Sequence, residues 1–406
     1  MTSFSQNPSG QFSYSEQLMP QAEMLEEKKN RRILTVGIPK ESDKYENRIV
    51  LSPQAVKQLC KEGHHIVIEA GAGLRSRWQD TDYVKAGAVI EDRKKVFASE
   101  ILLKVAPIES NEIKLLTGNQ LLISALHYNT QTAQKINALK AKKMTCIGLE
   151  LIKNNDEFHP YVQTMSEISG ILAINTASEY LSNPITGKGI LLGGITGIPA
   201  AKVLVFGAGT AGEYAARAAA ALGAQVKVFD NSLFRLQNLK NTLGIQLYTS
   251  VFQNEIISKA LKTADVLIAA AENTNDENLF IISEKMIAEM KKGSVIIDLN
   301  TDSASCIATS KVTHLGNPAF ETHGVIHYCV PNIASKAART ASIALSNTTF
   351  PLLQKISLEK TIPNIIHNIP ELKYGAYIYE GILTNERLAK KFDMDYKDID
   401  LLSIIF

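Results

Sequence analysis

The segment 202–212, KVLVFGAGTAG, limits the folds open to this chain more than any other stretch. A β-branched run leads into a G-x-G-x-x-G pattern at Gly207, Gly209 and Gly212, an alanine-rich helical stretch follows, and a second β-branched run ends just before Asp230. By itself the glycine pattern is weak evidence for a nucleotide site, because glycine and alanine are common enough to produce it by chance in unrelated chains. In this context it predicts a strand–turn–helix unit that binds the phosphates of a dinucleotide.

Each glycine has a separate use in such a unit. Gly207 makes the tight turn, Gly209 lets a pyrophosphate approach the backbone, and Gly212 lets the helix pack closely on the strand. Asp230 would accept hydrogen bonds from both ribose hydroxyls and repel a 2′-phosphate, which favours NAD over NADP. The alternative is that the glycines only shape a packed turn and that Asp230 is a solvated carboxylate.

Short β-branched runs alternate with helical periods from about residue 32 onward, and a second such series begins at Lys202. This alternation is typical of α/β domains with parallel sheets. Two helical stretches, 165–182 and 338–356, are long enough to connect two domains. The sequence therefore predicts two Rossmann-like domains with doubly wound parallel sheets, joined by long helices. The NAD-binding domain, 161–338, is predicted to be inserted into a substrate domain formed by 32–160 and 339–406.

The composition excludes several classes of protein. The chain has 406 residues, of which 45% are hydrophobic, so it can bury two cores. A net charge of +2 gives no electrostatic reason to expect a nucleic-acid or membrane partner, and a small zwitterionic ligand fits better. Residues 1–31 are polar, lack a secretory apolar region, and are predicted to be a mobile tail of a soluble cytoplasmic protein. The four cysteines and eight histidines show no trustworthy metal-ligand spacing, so no metal is expected.

Three ionisable residues stand at the edges of apolar elements. Lys104 and His127 follow the apolar runs ILL and LLISAL, and Arg48 stands in a loop before a helix. Lys104 would bring an ammonium to the sheet edge where ligands bind, and His127 could be a general acid or base. The planar guanidinium of Arg48 could bind a carboxylate. We expect Arg48 and Lys104 to make a pocket that is positive before substrate arrives. Alternatively, each of the three is an ordinary surface or structural residue.

Two carboxylates, Asp298 and Asp302, close the run SVIIDLNTD in the second domain. Either would face the nicotinamide half of a bound cofactor and could stabilise a cationic intermediate. Periodicity does not choose between them.

A series of motifs follows in order along the chain: VGIPKE, ENRIVLSP, ILLKV, ALH, MSEISG, VFGAGTAG, IIDLNTDSASC, HYCVPN and ARTASIALSN. In this order they resemble the alanine dehydrogenase family, which is related to the first domain of the transhydrogenase alpha subunit. The resemblance runs from about residue 32 to about residue 398. It implies NAD-dependent, reversible oxidative deamination of a small L-amino acid, most simply L-alanine to pyruvate and ammonium, by a homo-oligomer that is a hexamer or a dimer.

The resemblance also implies roles for individual residues. Arg48 would bind the substrate carboxylate, Lys104 would polarise the carbonyl or carboxylate, and His127 would be the acid/base group. Asp302, rather than Asp298, would be the second catalytic residue. The implied cofactor-binding residues are Ser166, Gly207, Gly209, Thr210, Ala211, Gly212, Asp230, Arg235, Ser250 and Asn332.

The chain departs from the family pattern around these residues. Ser303-Ala304-Ser305 replaces Gln-Gly-Gly, Ala106-Pro107 replaces Lys-Glu-Pro, a polar AENTND occupies 271–276, and the prolines after Asn332 are gone. Three interpretations therefore stay open: an alanine dehydrogenase, a related reductase or transhydrogenase-like domain, and a non-catalytic NAD sensor. Transhydrogenase first domains carry bulky non-titrating residues where Leu126 and His127 stand, so the retained histidine favours a dehydrogenase.

Overall fold

The computed structural model describes residues 31–154, 156–271, 281–301 and 305–405. The candidate Asp302, nearly all of the tail, Ser303, Ala304 and most of the AENTND segment lie outside these ranges. The strands are β1 Thr35–Ile38, β2 His65–Glu69, β3 Val89–Glu91, β4 Ile101–Leu103, β5 Leu121–Ser124, β6 Thr145–Gly148, β7 Lys202–Phe206, β8 Gln225–Phe229, β9 Tyr248–Ser250, β10 Val266–Ala269, β11 Val295–Asp298, β12 Ala319–Thr322, β13 Val325–Tyr328, β14 Ala376–Tyr379 and β15 Ile382–Leu383.

The α-helices lie between these strands and after them. They are α1 Pro53–Lys61, α2 Asp80–Lys85, α3 Arg93–Phe97, α4 Ser110–Ile113, α5 Ala133–Ala141, α6 Pro160–Ser182, α7 Thr210–Ala221, α8 Leu233–Leu243, α9 Asn254–Leu261, α10 Glu284–Ala288, α11 Ala338–Ile356, α12 Ile362–Asn368, α13 Pro370–Gly375, α14 Glu386–Phe392 and α15 Ile399–Ile405. Among the described residues, no helix is both long and apolar enough to cross a membrane.

The first sheet has the order β15-β14-β6-β5-β4-β1-β2-β3. Its strands β1 to β6 pair in parallel, whereas β14 and β15 add an antiparallel edge. The parallel strands β4, β5 and β6 are buried along their whole length, as expected where helices cover both faces. The chain therefore leaves this sheet after β6 and returns to it at β14.

The second sheet has the order β12-β13-β11-β10-β7-β8-β9. Its parallel strands follow the doubly wound order, and β12 is antiparallel to β13. The prediction of two Rossmann-like α/β sheets is confirmed, with the correction that each sheet has an antiparallel edge. The pairs β12–β13 and β14–β15 are hairpins whose short turns leave no room for a parallel crossover, whereas β14 pairs antiparallel with β6 after the chain has passed through the second sheet. The exact domain boundaries at 160 and 338 stay predictions.

Two long helices connect the sheets. The predicted helix 338–356 matches α11, and the predicted helix 165–182 is α6, which begins five residues earlier at Pro160. Proline is favoured in the first turn because its missing N–H has no helical partner there. Gly170 lies where α6 crosses α7, and a Cβ at this position would overlap the carbonyl oxygen of Ala211. The absence of a side chain at Gly170 therefore lets α6 support the glycine-rich turn directly.

Candidate active site

A cleft of ≈ 500 Å³ lies at the carboxyl ends of β1, β4 and β5. Segments 312–314 and 331–334 of the second half of the chain line its other side. Such a position, outside the carboxyl ends of parallel strands, is where α/β folds bind ligands. The lining includes five of the residues singled out from the sequence: Arg48, Lys104, His127, Ser166 and Asn332.

Arg48 reaches the cleft as one half of a buried ion pair. Its Nε and Nη2 donate to Oε1 and Oε2 of Glu46 at 2.7 and 2.6 Å. Burial disfavours the charged form of both side chains, but the attraction between the opposite charges outweighs this effect. As a result, the pKa of Glu46 is lowered and the pKa of Arg48 is raised. Nη1 lies 3.3 Å from the Met165 sulfur on α6. The guanidinium is therefore charged, and one of its two edges is already occupied.

Lys104 directly follows β4 and is only 1% exposed. Its ammonium contacts Glu41 at 2.9 Å and Glu112 at 3.1 Å. Burial acts against the charge, but the two carboxylates outweigh it and raise the pKa of Lys104. Burial also raises the pKa of Glu41, in spite of the adjacent ammonium. An ammonium has three N–H donors, so one remains for a ligand in the cleft.

His127 follows β5 in a left-handed turn with φ 42°. Its side chain is exposed to the cleft. The carboxylate of Glu150 accepts hydrogen bonds from the backbone N–H groups of Leu126 and His127. A left-handed conformation is costly for a residue other than glycine and persists where the surroundings fix it. Glu150 thus holds the turn that presents the imidazole.

The glycine-rich turn has the geometry that a dinucleotide requires. Gly207 has φ 101°, and a Cβ there would lie 2.7 Å from the carbonyl carbon of Ala270. A Cβ at Gly212 would overlap the Gly207 carbonyl oxygen, whereas a Cβ at Gly209 would meet no atom within 4 Å. Gly209 therefore faces open space at the start of α7, where Thr210 and Ala211 begin the helix. NAD phosphate fits this space, because the N–H groups of the first helical turn point into it.

Asp230 follows β8 beside this turn. Its two carboxylate oxygens accept hydrogen bonds from the backbone N–H groups of Ala208 and Ser232, each at 2.7 Å. Arg235, which is largely exposed, places a guanidinium nitrogen 4.0 Å from the same carboxylate. The carbonyl of Ser250 accepts the Asp230 N–H at 3.2 Å. The structure therefore groups Asp230, Arg235 and Ser250 at one end of the predicted cofactor site.

The candidate Asp298 is engaged in structural contacts. It ends β11, is fully buried, and accepts hydrogen bonds from the hydroxyls of Ser305 and Ser310 at 2.6 Å each. A carboxylate held in this way shapes the loop after the strand and is poorly placed to meet a substrate. The other candidate, Asp302, lies outside the described residues, so its role stays a prediction.

Comparisons with known proteins agree with this geometry. The N-terminal domain of the alanine dehydrogenase/PNT family matches residues 37–169, and the C-terminal domain matches 173–386. The chain belongs to the alanine dehydrogenase/PNT family. An alanine dehydrogenase of Methanococcus maripaludis is 36% identical over 366 residues, which cover 89% of this chain and 98% of that protein. Alanine dehydrogenase 2 of Staphylococcus aureus is 34% identical over 370 residues, which cover 90% and 99%.

Solved structures show the same relationship for this family member. An L-alanine dehydrogenase matches with a TM-score of 0.82 and 31% identity, covering 87% of this chain and 98% of its own. A transhydrogenase from Sinorhizobium meliloti matches with a TM-score of 0.73 at 24% identity, covering 87% and 99%, and shows a shared fold. The resemblance inferred from the motifs is therefore confirmed.

The charge of the cleft differs from the sequence-based expectation. The sequence predicts a positive pocket from Arg48 and Lys104, but Glu46, Glu41 and Glu112 neutralise both cations. The physical reason is that a buried charge is too costly without a partner. Sequence reasoning missed these carboxylates and Glu150. The motifs contained a signal for two of them, since VGIPKE ends at Glu41 and ENRIVLSP begins at Glu46.

Proposed function

We propose that this protein is an NAD-dependent alanine dehydrogenase that converts L-alanine to pyruvate and ammonium and catalyses the reverse amination. The observation that carries the proposal is the joining of Arg48, Lys104 and His127 with Ser166 and Asn332 in one cleft. In that cleft two cations and an imidazole lie near Asn332, which the resemblance assigns to the nicotinamide, and this arrangement supports the proposal. The alanine dehydrogenase relatives, which align over about nine-tenths of the chain, support the same activity.

The substrate carboxylate is held by the groups that the ion pairs leave available. These are the Nη1–Nη2 edge of Arg48 and the third N–H of Lys104. Charge-assisted contacts of this kind are strong and directional. They fix the α-carbon at the near-attack distance of about 3–3.5 Å that hydride transfer needs. When bound, NAD supplies the acceptor for that hydride.

His127 moves the proton in this scheme. In the direction of deamination it accepts a proton as water adds at the substrate carbon, and it returns a proton as ammonium leaves. Asp302, which the resemblance assigns as the second catalytic residue, stabilises the positively charged stages. Closure of the two domains around α6 and α11 excludes bulk water. On the cofactor side, the glycine-rich turn binds the pyrophosphate and Asp230 binds the adenosine ribose.

The cellular setting and assembly are part of the proposal. The protein acts in the cytoplasm on a small amino acid and 2-oxo acid pair, as a homo-oligomer. A hexamer or a dimer is expected, and sedimentation velocity would distinguish them.

An NADH-absorbance assay at alkaline pH tests the function. L-alanine should be the best substrate in a panel of small and large L-amino acids, and NADP should be used poorly. L-alaninamide should fail, because it carries no carboxylate for Arg48. A preference for a larger amino acid would point to a changed substrate in the same reaction class. NADH binding without turnover on any member of the panel would favour the sensor interpretation and contradict the proposed activity.

A further inference from the structure

The Arg48 guanidinium has two edges that can each bind a carboxylate through parallel hydrogen bonds. One edge is formed by Nε and Nη2, and the other by Nη1 and Nη2. Glu46 fully occupies the first edge, with contacts of 2.7 and 2.6 Å, and is itself only 3% exposed. Any substrate carboxylate is therefore restricted to the second edge, the one that includes Nη1 beside Met165.

The loop that carries this pair is tied to the second half of the chain. The hydroxyl of Ser335 accepts the Asn47 N–H at 2.7 Å and donates to the Tyr45 carbonyl at 2.9 Å. Oε2 of Glu46 also lies 3.5 Å from the Asn332 amide nitrogen. Asn332 and Ser335 belong to the segment around a 3₁₀ turn that links β13 to α11. The position of Glu46 is thereby set relative to Asn332, on the predicted nicotinamide side of the cleft.

We propose that Glu46 is a positioning residue that fixes the orientation of Arg48, so that the substrate carboxylate meets only the Nη1–Nη2 edge at a set distance from the nicotinamide side. This inference rests on the proposed function, since it assigns the geometry of the same site. Both carboxylate oxygens of Glu46 contact the Arg48 guanidinium and the side chain is almost fully buried, so its assigned role is exerted through Arg48. Glu46 Oε1 also lies 3.3 Å from the Ser335 hydroxyl, and a charge that merely neutralised Arg48 would not need these further contacts to Ser335 and Asn332.

A double-mutant cycle tests this assignment. Glu46→Gln keeps the size of the side chain but loses the charge and one acceptor, and Arg48→Lys removes the planar fork. Each single change should lower kcat/KM for pyruvate by about 10–100-fold. The double variant should lie within about threefold of the worse single variant, because Glu46 acts only through the Arg48 fork. Glu371→Gln, which breaks the exposed pair with Lys355 far from the cleft, is the matched charge control and should keep normal activity.

Two further results distinguish a positioning role of Glu46 from a general loss of protein stability. A larger primary isotope effect on kcat with 2-deuterated L-alanine is expected in Glu46→Gln, because poor alignment makes hydride transfer more rate-limiting. The assignment would be overturned if the fold-losses of kcat/KM from the two single changes multiplied in the double variant. It would also be overturned if Glu46→Gln kept the kcat/KM of the unmodified protein. If Glu46→Gln does not fold, Glu46→Asp, which keeps the charge but shortens the reach, replaces it in the same cycle.

The proposed function can fail separately. If the unmodified protein does not oxidise alanine, that activity is wrong. The cycle is then measured as pyruvate affinity in the presence of NADH by calorimetry, where the same non-additive pattern is expected. Additive losses of affinity would overturn the role of Glu46 in that case as well.

Discussion

Oε1 of Glu150 accepts the backbone N–H of His127 at 2.9 Å and so fixes the left-handed turn that carries the imidazole. Both oxygens of the same carboxylate also lie within 2.9 Å of the Leu126 nitrogen. The contact joins the ends of the neighbouring strands β5 and β6, which pair in parallel. The orientation of the proposed acid/base group thus depends on a carboxylate that binds the backbone N–H groups of the turn rather than the imidazole ring.

Glu150→Ala should lower kcat by about 10–100-fold, because the backbone N–H groups of Leu126 and His127 lose their carboxylate acceptor and the imidazole leaves its productive position. NADH affinity should stay within a few-fold, since the Glu150 carboxylate contacts the turn at His127 and not the glycine-rich turn. Steady-state kinetics and NADH fluorescence titration measure the two quantities. Glu157→Gln, which affects only an exposed pair with Lys153, is the control. If Glu150→Ala and the control had the same kcat, the turn at His127 would keep its conformation without Glu150.

The proposed catalytic pair is tested by His127→Ala and Asp302→Asn. Each change should lower turnover by at least about 10²-fold, which is the range for lost acid–base catalysis. Binding of NADH should change little, because the resemblance assigns neither residue to the phosphate or ribose site. Single-turnover kinetics with alanine and calorimetry with NADH give the two values. Near-normal turnover in both variants would contradict the catalytic roles proposed for His127 and Asp302.

Cofactor preference should depend on Asp230. Its carboxylate accepts the Ala208 N–H of the glycine-rich turn, and we propose that it also binds the ribose hydroxyls. Asp230→Ala should weaken NADH binding by about 1.5–3 kcal/mol for each hydrogen bond lost to the charged group and should narrow the preference over NADPH. Calorimetry with both cofactors measures this change. Ser250→Ala keeps the carboxylate and should keep the preference; equal binding of both cofactors by the unmodified protein would contradict the role of Asp230.

Gly170→Ala should weaken NADH binding and lower the melting temperature. Its Cβ would overlap the Ala211 carbonyl oxygen and lie 2.9 Å from the Ala215 nitrogen, so α6 and the start of α7 must separate. Ile171→Ala changes the exposed side of the same helix and should shift stability by only about 0.5 kcal/mol or less. Differential scanning fluorimetry with and without NADH compares the two variants. A Gly170→Ala protein with normal affinity would mean that α6 does not support the turn.

Some of these features could be predicted from the sequence, and others could not. The strand–turn–helix unit at Gly207 and the limits of α11 follow from local patterns of glycine and of apolar residues. The contacts of Glu150 and Glu46 do not, although a motif contains Glu46, because their partners are a backbone turn and a guanidinium whose positions are set by folding. A carboxylate in a loop has the same local pattern whether it is solvated or buried. Gly170 has the same limitation, since only the crossing of α6 and α7 shows that a side chain there has no space.

Acid sensitivity should arise in part from His327, a buried histidine of β13. Its Nδ1 lies 2.9 Å from the Val325 carbonyl and must donate to it, so Nε2 accepts the Thr309 hydroxyl at 2.8 Å. Both ring nitrogens are therefore satisfied by the neutral imidazole. Burial lowers the pKa of His327 below its ordinary value of 6.5, and His323 adds to this effect.

A pKa lowered by folding means that the unfolded chain takes up the proton first. The stabilising contribution of neutral His327 is complete above about pH 6.5 and is lost as the pH falls from that value toward the lowered pKa, with a slope that approaches about 1.4 kcal/mol for each pH unit. His327→Asn keeps a donor for Val325 but cannot be protonated. It should be less stable than the unmodified protein at pH 7.5, yet lose less stability between pH 7.5 and 5.5 in urea titrations followed by circular dichroism. His65→Asn, at an exposed position, should retain the original loss. If His327→Asn loses as much stability on acidification as the unmodified protein, then other groups carry the acid sensitivity and protonation of this buried ring does not limit the fold.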